Sequence, residues 1–80
     1  MENFSRYDIA QIIADEFGLI NSDVQPTDSF FDDYEADDID MMNLCANLET
    51  TFDRTISEGA EDRWLTVQDV YDHMEHTFSK

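Results

Sequence analysis

The stretch YEADDIDMMNLCANLETTF, residues 34–52, decides the reading of the whole chain. Asp37, with Asp40 three residues later, is a helix-start pattern in which each carboxylate can accept from the other's backbone amide. Met41, Leu44, Cys45, Leu48 and Phe52 follow at helical spacing and form one apolar stripe. The spacing predicts an amphipathic helix that opens in acid and buries one face. Asp38, as its first internal residue, gains from the unpaired amides and the helix dipole. Part of the acid cluster is therefore explained by the helix alone.

On the N-terminal side, Leu19 to Tyr34 shows no sustained period and holds Pro26 among the turn formers Asn21, Ser22, Asp23, Thr27, Asp28 and Ser29. A loop of that length needs anchors, and Leu19, Ile20, Val24, Phe30 and Phe31 are expected to pin it. Before it, Ser5 with Asp8 is a capping box, and Phe4 with Ile9 can staple the turn. Ile9, Ile12, Ile13 and Phe17 form a stripe, and Gly18 is placed to end that helix in the left-handed conformation.

On the C-terminal side the signal weakens. Ser57 to Asp62 is expected to form one or two helical turns between the anchors Ile56 and Trp64. Thr66 with Asp69 caps a last helix, Leu65 with Val70 can staple it, and Val67, Val70, Tyr71, Met74 and Phe78 supply its stripe. There is no internal repeat, low-complexity tract or linker. The expected architecture is all-α, a four-helix bundle with three main helices, a short third helix and a long loop between helices 1 and 2. It is expected to fill residues 1–80 as a single domain.

Composition narrows the function classes. Eighty residues close one modest core and leave little area for a deep cleft. An apolar fraction of 41% is enough for a folded state. Twenty acids face four bases, a formal charge of −16. Free nucleic acid and anionic membranes are repelled by such a chain, whereas a basic patch on another protein is its complement. The lone Cys45 lies in the apolar stripe and is expected to be a buried thiol. No signal pattern or membrane-length apolar run is present, so a cytoplasmic monomer is expected.

Tests for chemistry return little. Asp33, Glu35 and Asp37 alternate as in a calcium loop, but the sixth and twelfth positions hold Asp38 and Leu44 where Gly and Glu are needed. His73 and His76 lie one helical turn apart without a third ligand nearby, and are expected to be exposed helix residues. No nucleophile–base arrangement or phosphate loop is present. Neither a metal site nor catalysis is expected.

The order of elements resembles the acyl carrier protein family: a capped helix, a long anchored loop, a helix with an acidic opening, a short third helix and a capped fourth. DSFFDDYEADDIDMMNLCANLETTFDRTIS, residues 28–57, is similar to the family's central region, where Gly-Ala-Asp-Ser-Leu-Asp leads into an apolar helix. LTVQDVYDHM, residues 65–74, resembles the opening of its last helix. The resemblance implies a scaffold that docks through its second helix on carrier-recognising enzymes, here through Asp37, Asp40, Met42 and Glu49. It also places Asp38 where the family has the serine that receives phosphopantetheine, and Glu35 where it has the preceding glycine. A carboxylate cannot form that phosphodiester, so phosphopantetheine is expected to be absent. The leading expectation is an acidic binding module for enzymes or regulators of fatty-acid, polyketide or related acyl metabolism. The alternatives are a genuine carrier whose attachment serine is replaced at Asp38, or an acidic decoy for a nucleic-acid-binding protein.

Overall fold

A computed structural model describes residues 5–78 and contains three α-helices: α1 (Arg6–Phe17), α2 (Asp38–Phe52) and α3 (Val67–Phe78). Two short 3₁₀ turns, Asn21–Asp23 and Ala60–Arg63, interrupt the connections. The described residues contain no strand, and the architecture is all-helical as expected. The short third helix is the second of these 3₁₀ turns, entered through Gly59 at φ 83. The first 3₁₀ turn is not signalled by any local periodicity.

Local chemistry explains the helix limits. The Ser5 hydroxyl accepts from the Asp8 amide at 3.2 Å, and the Asp8 carboxylate accepts from the Ser5 amide at 3.3 Å. Gly18, at φ 69, closes α1 in the left-handed region. Asp37 and Asp40 form the equivalent box on α2, and Asp53 at φ 53 ends it. For α3, the Asp69 carboxylate accepts from the Thr66 and Leu65 amides, at 3.0 and 2.8 Å. Phe4 lies outside the described residues, as does the side chain of Phe78. Leu65 does not close a staple on buried Val70, because it is 59% exposed.

The three stripes converge on one core. Ile9 and Ile13 of α1, Leu44 and Leu48 of α2, and Val67, Val70 and Met74 of α3 are all fully buried. Truncating one of these leucines to Ala costs about 2–5 kcal/mol. Cys45 lies in this core, and Ile56 and Trp64 anchor the connection between α2 and α3 as expected.

The long loop uses fewer anchors than expected. Val24 and Phe30 are buried and Leu19 packs against the core, but Ile20 and Phe31 are exposed. Phe30 joins an aromatic cluster, with its ring centroid 5.9 Å from that of Phe17 and 5.8 Å from that of Tyr34. The Tyr34 hydroxyl donates to Asp28 at 2.7 Å, and burial together with that carboxylate holds the phenol well above its usual pKa.

Two further ties set the frame. The loop pairs with the start of α3: Phe30 N–H donates to the Leu65 carbonyl, Val67 N–H to that of Asp28, and Gln68 N–H to that of Pro26. Arg6 donates twice to the Glu75 carboxylate, at 2.7 and 3.2 Å, and its guanidinium lies 4.9 Å from the Tyr71 ring centroid. This pairing holds the Arg6 pKa above and the Glu75 pKa below their ordinary values.

Candidate functional site

The acidic opening of α2 divides its carboxylates between fold and surface. Asp37 Oδ1 accepts from the Asp40 amide at 2.8 Å, and Asp40 Oδ2 accepts from the Asp37 amide at 3.1 Å. Asp38 is the first residue of the helix, is exposed, and takes no part in this box. Its charge sits at the positive end of the helix dipole on an exposed residue. Burial and then the Asp40 charge push the Glu16 carboxyl of α1 up, while the Asn47 side chain, donating to it at 2.9 Å, opposes the rise.

The segment before the helix is strained. Glu35 is a non-glycine residue at φ 56, fully within the left-handed region. Ala36 next to it is buried, with its amide donating to the Phe30 carbonyl at 2.9 Å. The chain must therefore turn sharply at Glu35 to bring Ala36 under the loop and Asp37 into the capping position.

Met42 is 58% exposed, and Ile39, one turn before it on the same face, is 66% exposed. Ile39 was not singled out from the sequence, although the spacing Ile39, Met42, Ala46 marks a second, narrower apolar row beside the core stripe. From Met42 the row runs into an open groove between α2 and the following segment, lined also by Ala46, Ile56, Glu49, Glu58 and Glu61. Glu49 holds that wall, because its Oε2 accepts from the Ile56 amide at 2.7 Å. Cys45 lies beneath the groove, and burial followed by the charges of Glu61 and Glu49 pushes its thiol up to about 12. It therefore stays protonated near neutral pH and is a poor nucleophile.

The structure thus brings Asp37, Asp38, Asp40 and Met42 together at one end of α2, with Glu49 two turns along. His73 is a correction to the sequence reading. It is half-buried, with its ring 5.5 Å from that of Trp64, because the tryptophan packs the connection down onto α3. Burial and the neighbouring His76 and Arg63 charges lower its pKa. Among the described residues no three His, Cys, Asp or Glu side chains are grouped as metal ligands, and no helix is long and apolar enough to cross a membrane.

Comparison with known proteins adds independent findings. Residues 8–74 match a family model described as "Phosphopantetheine attachment site". The chain is 37% identical over 67 residues to the acyl carrier protein of Micrococcus luteus, covering 84% of this chain and 83% of that one. It is 39% identical over 64 residues to the acyl carrier protein of Myxococcus xanthus, covering 80% and 81%. It is 40% identical over 63 residues to that of Chlamydia felis, covering 79% and 81%.

The family description stands against the expectation of no cofactor. A stable arm needs a hydroxyl at the helix opening, and the side chains there are the carboxylates of Asp37, Asp38 and Asp40. Attack by a carboxylate on phosphorus would give an acyl phosphate, a mixed anhydride that water cleaves. The nearest serine in the preceding loop, Ser29, has its hydroxyl accepting from the Asp32 amide at 3.1 Å, back at the loop's pairing with α3. The donor set at the opening of α2 does not fit covalent attachment.

Proposed function

This chain belongs to the acyl carrier protein family, and from that premise we propose that it is an acidic, single-domain docking module that bears no phosphopantetheine arm. It binds the basic surfaces of enzymes or regulators that recognise acyl carriers, works in the cytoplasm as a monomer, and catalyses nothing itself. The observation that supports this reading best is the exposed Asp38 carboxylate, free of the capping box and in the position that resemblance assigns to the attachment serine. Ile39 and Met42 offer an apolar contact beside it, with Asp37, Asp40 and Glu49 as its charged rim.

Intact mass tests the first half. The protein incubated with coenzyme A and a broad-specificity phosphopantetheinyl transferase is expected to keep its mass, and a gain equal to one phosphopantetheine would overturn the reading. Binding kinetics against a carrier-recognising enzyme test the second half. Asp40→Asn and Glu49→Gln are expected to slow association and flatten its salt dependence, and Met42→Ala to speed dissociation. Wild-type kinetics in all three variants, with folds intact, would move the interface off α2.

The names of the relatives and the family description favour a second reading, a genuine carrier whose attachment serine is replaced. On that reading Asp38→Ser alone restores modification. If the variant gains the arm's mass, the recognition surface for the transferase is intact, and only the acceptor atom has been exchanged.

A further inference from the structure

The misfit at Asp38 has a functional side. A phosphodiester carries one negative charge near neutral pH, and so does an aspartate. Asp38 presents its charge at the first residue of α2, and the fold makes no use of that carboxylate in capping the helix. Ile39 and Met42, 66% and 58% exposed, flank the same end of the helix. A protein site that takes a phosphodiester is complemented by cationic donors, and exposed apolar side chains beside that charge are complemented by an apolar dimple. Asp38 complements the first and Ile39 with Met42 the second, on a surface that can deliver no cargo.

We infer that this chain is a competitive occupant of carrier-recognition sites, with the Asp38 carboxylate filling the place that a partner keeps for the first phosphate of the arm. The inference rests on the docking reading above and adds an activity to it: occupancy of the site lowers flux through enzymes that use loaded carriers. The partner is a protein with Lys or Arg side chains around an apolar dimple. A duplex or single-stranded nucleic acid is disfavoured by the formal charge of −16.

The test uses an acyltransferase that loads holo-carriers, with its cognate holo-carrier as the varied substrate. The purified chain is expected to raise the apparent KM for the holo-carrier and leave kcat unchanged. Asp38→Asn is expected to weaken that inhibition about fivefold to tenfold, and Asp38→Glu to retain most of it. Circular dichroism melts of both variants confirm that the fold persists. Inhibition that Asp38→Asn leaves untouched, or inhibition that lowers kcat alone, overturns the inference. Direct binding of the wild-type chain to the same enzyme separates the two proposals. Binding without competition removes the competitive role and leaves docking standing, whereas no binding removes both.

Discussion

Glu35 holds a left-handed backbone that a glycine would adopt freely, and it holds it in front of the helix that carries the candidate site. The strain on a side-chain-bearing residue there is about 1–2 kcal/mol, and a glycine gives back about 0.5–1 kcal/mol through its freer unfolded chain. Glu35→Gly is therefore expected to stabilise the fold by roughly 0.5 kcal/mol, a rise of a few degrees in Tm. A lower Tm in thermal melts would mean that the glutamate side chain contributes contacts that offset its backbone. Asp53, at φ 53, tolerates the same region better, because a short polar side chain bonds locally. The aspartate at residue 38, where the resemblance places a serine, is legible in the sequence, since it is a matter of side-chain identity. The strain at residue 35 is not, because a φ angle is imposed by the need to seat buried Ala36 beneath Phe30, a contact that no local pattern announces.

At the scale of elements, the three helix starts were all legible, because a capping box is a relation between residues three apart. That relation also separates neighbouring aspartates. Asp37→Ala removes the acceptor for the Asp40 amide and is expected to cost about 1 kcal/mol. Asp38→Ala removes only a favourable dipole interaction and is expected to cost about 0.3–0.5 kcal/mol. Urea unfolding of the two variants checks the contrast, and equal losses would mean that Asp38 is built into the cap after all. The connections were less legible. The 3₁₀ turn at Asn21–Asp23 is held by the Asn21 side chain, which donates to the Tyr7 carbonyl at 3.1 Å and the Gln11 side chain at 3.2 Å. Such a tie depends on where α1 happens to lie. The loop's apolar residues gave the right material but not its sorting. Adjacent Phe30 and Phe31 are alike in composition, and only the ring cluster with Phe17 and Tyr34 shows which one is inside.

At the scale of the molecule, charge decides. A formal −16 on so small a body repels itself, while the Arg6–Glu75 pair is about half exposed and worth no more than about 1 kcal/mol. Salt weakens an exposed attraction of this kind and relieves many repulsions, so the Tm is expected to rise from dilute buffer to moderate salt at pH 7, and with millimolar divalent cation. A flat response by differential scanning calorimetry would show that the acids are already compensated. The pairing of the long loop with the start of α3 works on a different quantity. First-turn amides of a helix lack intrahelical acceptors and ordinarily exchange with solvent quickly. Here the Val67 and Gln68 amides are spent on the carbonyls of Asp28 and Pro26, far earlier in the chain. Their deuterium uptake should therefore be slow, and it should keep pace with that of the Phe30 amide, because all three are released by a single opening of the loop. A helix end that is usually the first part to fray becomes, in this chain, a reporter of whether the loop is closed.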